Sequence, residues 1–263
     1  MTPKALTIAG SDSGGCAGIQ ADLKTFGALE VHGMSVVTSV TAQDTQQAYM
    51  VSNIPLENIK LQFEVVVLDF GVDSVKTGML GSEEIIDLIA SKVCHFGIKN
   101  LVVDPVMHTT GGNPLMEPGT MEALKTKLLP NALIVTPNLE EAELLTGVKI
   151  KNKKEVREAT STILELGPHS VLLKGGHFEN SKSCTDYFFD GDEFLEFSTT
   201  RIETKNTHGS GCTLAAAITA YLARGLNLKD AVSQAKKYVT QAILNSLELG
   251  HGHGPLGHFW KYW

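Results

Sequence analysis

The sequence predicts an α/β fold in which one mostly parallel sheet is covered by helices on both faces. Short apolar runs of strand length recur along the chain, and helix-length segments separate most of them. The runs are continuously apolar, as expected of parallel strands that are buried on both faces. With 263 residues, 43% of them hydrophobic, the chain can build a large core, so we expect a single domain over residues 1–263.

The first predicted unit is a strand followed by a helix. Residues 5–9 form a short apolar run that ends in a glycine-rich turn at residues 10–15. A helical pattern follows, with apolar residues at Ile19, Leu23 and Leu29. This order places a polar loop at the carboxyl end of the first strand.

Later segments repeat the alternation. Further strands are predicted at residues 35–40, 74–77, 101–103, 132–135 and 170–173, and helices at residues 82–93, 153–166 and 214–223. Residues 186–190 and 193–198 flank the turn Gly191-Asp192 and predict a β-hairpin, which is either an addition to the sheet edge or a flap.

Charge and cysteine content exclude several classes of protein. The net charge of −7 argues against binding to nucleic acid or to an anionic membrane. The four cysteines are scattered and form no Cys-x-x-Cys pair, which favours a reducing compartment and argues against a zinc site. The apolar run at the N-terminus is too short for a signal peptide or a membrane span, so we expect a cytoplasmic protein.

Two common nucleotide-binding motifs do not occur. Residues 71–77 contain the lysine and threonine of a P-loop but have a valine in place of its second glycine. Neither glycine-rich loop fits Gly-x-Gly-x-x-Gly, which disfavours a dinucleotide-dependent oxidoreductase. His251 and His253 have no third ligand nearby in the sequence and are interpreted as loop residues.

Polar residues and glycines follow the ends of the predicted strands. The carboxyl ends of parallel strands meet at one edge of the sheet, where open α/β folds bind their ligands. Carboxylates, a lysine and glycines at this edge suit a nucleotide with its magnesium. The residues are Gly10, Asp12, Gln43, Asp44, Gly78, Met79, Asp104, Pro105, Asn138, Glu141, Lys174, Gly175, Gly176 and His177.

A second glycine-rich loop, residues 207–213, runs directly into an alanine-rich helix. The first N–H groups of a helix have no partner within it, and glycines let an anion approach them, so the residues from Gly209 to Thr213, with Ser210 and Gly211 among them, can cradle a transferring phosphoryl group. Cys212 would lie in the same positive field, where a thiol can have a lowered pKa and act as a base or nucleophile. The alternative is a buried cysteine beside a turn.

Seven segments occur in the order and spacing of one known family. They are residues 9–15, 17–25, 40–43, 76–79, 103–107, 136–138 and 206–213. Together they resemble the hydroxymethylpyrimidine and hydroxymethylpyrimidine-phosphate kinases of thiamine biosynthesis, which belong to the ribokinase-like superfamily. The resemblance implies a three-layer α/β/α fold with a small β flap, ATP as phosphoryl donor with Mg²⁺, an aminopyrimidine substrate and a homodimer.

The resemblance also implies roles for individual residues. Cys212 would take the proton from the hydroxymethyl group of the substrate, with the loop from Gly209 to Cys212 as the anion hole. Lys174, Asn138, Thr207 and Gly209 would bind ATP, while Asp104 and Glu141 would hold magnesium against the phosphates. Asn138 and Glu141 can equally be a helix N-cap and an acidic first turn, and both readings can hold at once.

The pyrimidine end of the pocket needs different side chains. An aminopyrimidine offers ring nitrogens and an exocyclic amine, which suit the donor and acceptor of the Gln43 amide. For Met79 and Val106 the alternative is ordinary core, and for Asp22 it is a solvated carboxylate. The pocket residues implied by the resemblance are Gly10, Ala17, Asp22, Gln43, Met79 and Val106.

Two other functions remain open at the level of the sequence. Some bacterial pyridoxal kinases are similar and share the glycine-rich loop with its cysteine, but they tend to carry an apolar residue at the position of Gln43. A non-catalytic pyrimidine-binding regulator is disfavoured because it would need neither a base nor a magnesium network. The chain departs from the family pattern at Cys16, which usually is a glycine and which adds a second thiol near the pocket.

Overall fold

The computed structural model describes residues 1–107, 119–176 and 182–262. The strands within these ranges are β1 (Lys4–Asp12), β2 (His32–Gln43), β3 (Ala48–Asn53), β4 (Ser74–Thr77), β5 (Leu101–Val103), β6 (Ile134–Val135), β7 (Val171–Lys174), β8 (Ser183–Phe189) and β9 (Phe194–Thr200). His177, which the sequence places at the sheet edge, lies outside the described residues.

Helices connect most of the strands. They are α1 (Gly18–Ala28), α2 (Leu56–Phe70), α3 (Glu83–His95), α4 (Thr120–Ala123), α5 (Leu139–Thr146), α6 (Lys153–Leu164), α7 (Ser210–Ala223) and α8 (Leu228–Leu244). A π-helical turn, Leu124–Leu128, and a 3₁₀ turn, Leu129–Asn131, continue α4 toward β6.

The strands of the described ranges form a single sheet in the order β3-β2-β1-β4-β5-β6-β7-β8-β9. From β2 to β7 all neighbouring strands are parallel, and β3, β8 and β9 add antiparallel partners at the two ends. The predicted mostly parallel sheet is therefore confirmed. The predicted hairpin is an edge addition, because β8 pairs with β7 and β9 with β8.

Strands β1 and β2 extend further than their apolar runs. Residues 10–12 were predicted in a turn, but Ser11 and Asp12 continue β1 and pair with Val40 and Thr41. Gln43 is likewise the last residue of β2. Pairing with a neighbouring strand outweighs the turn preference of Gly-Ser-Asp, so these polar residues stand at the rigid ends of strands.

Successive side chains of each strand face opposite sides of the sheet and enter two separate cores. In β5, Leu101 and Val103 pack into the core formed with α2, α3, α5 and α6, while Val102 packs into the core formed with α1, α7 and α8. Helices thus cover both faces, and the predicted three-layer α/β/α arrangement is confirmed. None of the described helices combines the length and the apolar character needed to cross a membrane.

Candidate active site

A cavity of about 510 Å³ lies at the carboxyl ends of the parallel strands. Ligand pockets of enzymes commonly have volumes of this order. Of the residues predicted at the sheet edge, Asp44, Pro105 and Gly175 do not line it. The residues to which the sequence assigns a role in catalysis or binding all line it, except Asp22. They are Gly10, Ala17, Gln43, Met79, Asp104, Val106, Asn138, Glu141, Lys174, Thr207, Gly209, Ser210, Gly211 and Cys212.

The glycine-rich loop enters the cavity as the N-terminus of α7. Gly209 is the N-cap and has φ of 82°, a left-handed conformation that suits glycine. A Cβ at this position would also collide with the backbone carbonyl of Cys16. The N–H groups of the first turn therefore face the cavity with no side chain at Gly209 or Gly211 to keep an anion away.

A lysine reaches this loop from the opposite wall. A Cβ added at Gly211 would lie 3.2 Å from Nζ of Lys174, so the ammonium group is next to the start of α7. Lys174 is the last residue of β7, and its side chain is 15% exposed. A cation and a helix N-terminus together favour binding of an anion such as a phosphate.

Cys212 is the third residue of α7, and it is half-buried in the cavity wall. Burial raises the pKa of this thiol to about 11, although the nearby Lys76 lowers it. The prediction of a lowered pKa is therefore wrong for the ligand-free protein. The sequence shows that Cys212 lies at a helix N-terminus, which favours a thiolate and lowers the pKa. The thiolate also loses solvation inside the protein, and this effect raises the pKa by more than the helix lowers it.

Lys174 joins two carboxylates into one buried cluster. Its Nζ lies 2.9 Å from Oδ1 of Asp104 and 3.8 Å from Oε2 of Glu141. Thr136 donates a further hydrogen bond to the same Asp104 oxygen, at 3.3 Å. Burial alone would lower the pKa of Lys174, but Asp104 and Glu141 hold it above its ordinary value, so the ammonium group stays charged.

Asn138 and Glu141 form the capping box of α5. Oδ1 of Asn138 accepts a hydrogen bond from the Glu141 N–H at 2.8 Å, and Oε2 of Glu141 accepts one from the Asn138 N–H, also at 2.8 Å. The predicted N-cap is thus confirmed. Both residues line the cavity as well, so the helix cap fixes a carboxylate beside Lys174.

The carboxylate cluster fits a magnesium ion. Burial and the neighbouring Asp104 raise the pKa of Glu141 to about 7, against the opposing effect of Lys174. One lysine therefore does not neutralise both carboxylates fully, and a further cation would favour the ionised form of Glu141. Carboxylate oxygens are the ligands that Mg²⁺ prefers.

Gln43 also lines the cavity, next to His208. Its Nε2 lies 3.0 Å from Nε2 of His208, and its Oε1 accepts a hydrogen bond from Thr41 at 3.4 Å. These contacts orient the amide at the cavity wall. Met79 and Val106 are half-buried residues of the same wall, rather than core residues.

Asp22 is not part of the cavity wall. Its side chain is fully buried, which excludes a solvated carboxylate. Both of its oxygens accept hydrogen bonds from Nζ of Lys76, at 2.8 and 2.9 Å, and Thr7 donates another at 2.6 Å. The predicted contact with the pyrimidine is therefore wrong, because α1 turns this carboxylate toward the sheet instead of the pocket.

Asp12 organises the first glycine-rich loop. Its carboxylate accepts hydrogen bonds from the backbone N–H groups of Gly14, Cys16 and Ala17, at 2.8 to 2.9 Å. Burial opposes ionisation, but His208 and these N–H groups hold the pKa of Asp12 below its ordinary value. Donor atoms of Asp12, Cys16 and His208 lie within 4.8 Å of one another, close enough to hold a metal ion. The hydrogen bonds of Asp12 already account for their proximity.

Sequence reasoning missed four charged or polar residues at or near the site. Lys76 and His208 were read only as parts of motifs, and the pair of Lys236 with Asp186, at 2.8 Å, was not identified at all. Lys76 did carry a signal, since it is a charged residue inside a short apolar strand run, where burial requires a partner. Lys236 interrupts the apolar face of a helix that was not predicted.

The fold and the cavity together are those expected of a ribokinase-like small-molecule kinase. The family model for phosphomethylpyrimidine kinase matches residues 12–257. The chain is 49% identical over 266 residues to the hydroxymethylpyrimidine/phosphomethylpyrimidine kinase of Rhizobium meliloti, covering 100% of this chain and 99% of that relative. The chain belongs to the phosphomethylpyrimidine kinase family.

Two solved structures are similar to the fold described above. The ADP complex of Bacillus subtilis pyridoxal kinase has a TM-score of 0.92 at 40% identity and covers 98% of both chains. The phosphomethylpyrimidine kinase of Clostridium difficile has a TM-score of 0.82 at 43% identity, covering 91% of this chain and 99% of that one. Adenine nucleotide binding is thus seen on this fold in a relative.

Proposed function

We propose that this protein is the bifunctional kinase of thiamine biosynthesis that phosphorylates 4-amino-5-hydroxymethyl-2-methylpyrimidine and then its monophosphate, with ATP as donor. One observation carries the proposal. A single cavity brings together a helix N-terminus with a thiol, a lysine with two carboxylates, and the Gln43 amide that His208 orients. The full-length similarity to the Rhizobium meliloti kinase supports the same substrate pair.

One part of the cavity binds the pyrimidine ring, and the other binds the phosphoryl group. Gln43, Met79 and Val106 hold the aminopyrimidine ring, with the amide exchanging hydrogen bonds with ring nitrogen and amine. Gly10 and Ala17 complete this end. Glycine is needed at position 10 because a side chain there would collide with Met79. The hydroxymethyl group then points toward the N-terminus of α7.

The phosphoryl end is built for a negatively charged transition state. The N–H groups of residues 209–212 and the ammonium group of Lys174 stabilise charge on the transferring phosphoryl oxygens. Asn138 and Thr207 contact the ATP phosphates. Asp104 and Glu141 would hold Mg²⁺, which supplies charge neutralisation of the phosphates when it is bound.

Cys212 takes the proton of the hydroxymethyl group as the new O–P bond forms. An alcohol is a much weaker acid than a thiol, so the proton moves late, when departure of ADP has begun. Because the ring stays at the Gln43 end, the second cycle presents the monophosphate to the same base, and one cavity serves both steps.

Pyridoxal phosphorylation is the second candidate function, favoured by the similarity to Bacillus subtilis pyridoxal kinase. Gln43 supports the pyrimidine, because its amide can satisfy both the ring nitrogen and the amine that pyridoxal lacks. ADP release with Mg²⁺ and ATP, measured in parallel on hydroxymethylpyrimidine, its monophosphate and pyridoxal, tests the assignment. Turnover of both pyrimidines above pyridoxal is expected. Preference for pyridoxal would refute it, and no ADP release with any of the three would favour a non-catalytic binder.

We also propose that the protein is a homodimer whose interface includes the exposed apolar face formed by α2 and β3. Leu61, Val65 and Leu68 of α2 and Tyr49 and Met50 of β3 are more than half exposed. Patches of this kind on a folded protein commonly mark an interface. Light scattering should give twice the chain mass, and Leu68→Glu should shift it to the monomer. A monomeric parent protein would refute the assignment.

The chain as a whole is proposed to act as one cytoplasmic domain. All four cysteines are free thiols, which is consistent with a reducing compartment. The continuous sheet order from β3 to β9 supports a single folding unit.

A further inference from the structure

The fully buried pair formed by Lys76 and Asp22 has no direct contact with the cavity. Both side chains are 0% exposed, and neither lines the cavity wall. A buried ion pair commonly contributes no more stability than apolar residues of the same size would. Two charges in the centre of the fold therefore call for a role other than stability.

Both members of the pair lie directly behind the cavity floor at Cys212. The Gly18 N–H contacts the Cys212 thiol, and Asp22 follows Gly18 by four residues, on the same face of α1. A Cβ at Gly78 would lie 3.1 Å from Nζ of Lys76, and Gly78 lines the cavity together with Cys212. Only the glycine at position 78 thus separates the ammonium group from the cavity.

Charged groups face the Cys212 sulfur from every layer around it. Lys76 on β4 and Lys174 on β7 favour a thiolate, while Asp22 on α1 and Asp104 after β5 oppose it. Burial would lower the pKa of Lys76, but Asp22, Cys212 and Asp104 raise it above its ordinary value, so Lys76 keeps its charge. A permanent cation, paired with Asp22, therefore acts on the charge of the sulfur.

We propose that Lys76 and Asp22 form a positioning pair that sets the charge at the Cys212 sulfur. Lys76 stabilises the thiolate, and Asp22 holds Lys76 in place while it weakens that stabilisation. In each cycle the Cys212 thiol first releases its proton to solvent, and the thiolate then accepts the hydroxyl proton of the substrate as the O–P bond forms and the bond from phosphorus to ADP breaks. The inference rests on the proposed base role of Cys212.

The test measures the thiol itself. In a background of Cys16→Ser, Cys94→Ser and Cys184→Ser, Cys212 is the remaining thiol, and its alkylation rate by iodoacetamide at fixed pH below the pKa follows the thiolate fraction. We expect Lys76→Met to slow alkylation about tenfold and Asp22→Asn to speed it about tenfold, equivalent to shifts of about one pKa unit in opposite directions. The double variant should return toward the background rate.

The pair of Lys92 and Glu64 provides a control, since it is a partly buried lysine–carboxylate pair of which neither residue lines the cavity. Lys92→Met with Glu64→Gln should leave the Cys212 alkylation rate within about twofold of the background. Single variants of Lys76 and Asp22 that change the rate in the same direction, or not at all, would overturn the proposal. If Lys76→Met does not fold, Asp22→Asn alone decides through the pH profile of alkylation, because a charge effect moves the apparent pKa of the profile, whereas better access of the reagent raises the rate equally at every pH.

A second readout connects the thiol to the reaction. The acidic limb of kcat/KM should move to lower pH in Asp22→Asn, together with the alkylation profile. The alkylation experiment uses no substrate. A protein that does not phosphorylate pyrimidines would fail the activity assay, but its alkylation rates would still test the positioning pair. Failure of the proposed function and failure of the positioning pair are therefore distinguishable.

Discussion

Two lysine–carboxylate pairs lie on either side of Cys212, and they differ in their access to the cavity. The sealed pair, Lys76 with Asp22, is 0% exposed and touches no ligand space. The open pair, Lys174 with Asp104, has a lysine that is 15% exposed and lines the cavity together with Glu141. Similar chemistry therefore serves two purposes: the open pair can bind phosphate and metal, and the sealed pair can act only through its field.

The thiol between the two pairs gives the largest expected effect. Cys212→Ala should lower kcat by about 100- to 10,000-fold, because the substrate proton then has no base, while ATP binding by calorimetry should change little. Cys94→Ala, which removes an exposed thiol, is the control and should keep its activity. A Cys212→Ala protein with most of its activity would exclude the thiol as the base.

Stability separates the sealed pair from a surface pair. Lys76→Met should lower the free energy of unfolding by about 3–5 kcal/mol, because it leaves the Asp22 carboxylate buried without a cation. Urea denaturation measures this loss. Lys60→Met removes a lysine from an exposed pair with Glu57 and should leave the midpoint unchanged. Equal midpoints for the two variants would contradict the description of Lys76 as sealed.

For the open pair we expect a large loss of activity and a small loss of stability. Lys174→Met should lower kcat about 100-fold through lost stabilisation of the phosphoryl oxygens. Its unfolding midpoint should fall less than that of Lys76→Met, since Asp104 and Glu141 retain access to water and cations. Steady-state kinetics and urea denaturation of Lys174→Met and Lys76→Met test this expectation. A larger stability loss for Lys174→Met than for Lys76→Met would contradict the distinction between an open and a sealed pair.

The pH dependence of the magnesium requirement gives the smallest expected effect. Glu141 has a pKa of about 7, so it loses its charge as the pH falls through neutrality and becomes a poorer metal ligand. Between about pH 8 and about pH 6, the Mg²⁺ concentration for half-maximal activity should rise up to about tenfold. Glu141→Gln should have a high requirement with little dependence on pH. A variant with unchanged magnesium dependence would exclude Glu141 as a ligand.

Much of the fold was predictable because local patterns agreed with the tertiary structure. Strands β4 and β5 have the predicted bounds, since their apolar runs are bordered by polar residues. Strand β3 was missed because it is an edge strand whose residues, including Tyr49 and Met50, are mostly exposed, so its sequence shows no alternation of apolar and polar residues. Its pairing with β2 is a long-range property that no local window contains.

The sequence by itself determined which residues meet at the carboxyl edge, because parallel strands place their ends together and the glycine-rich loops follow the strands. Only the tertiary structure decided the charge state of Cys212 and the role of Asp22. A helical position does not tell which face is turned toward the sheet, and the pKa of a buried group depends on solvation and on charges from distant segments. Asp22 and Lys76 are separated by 54 residues, and their meeting beneath Cys212 is a property of the packed fold.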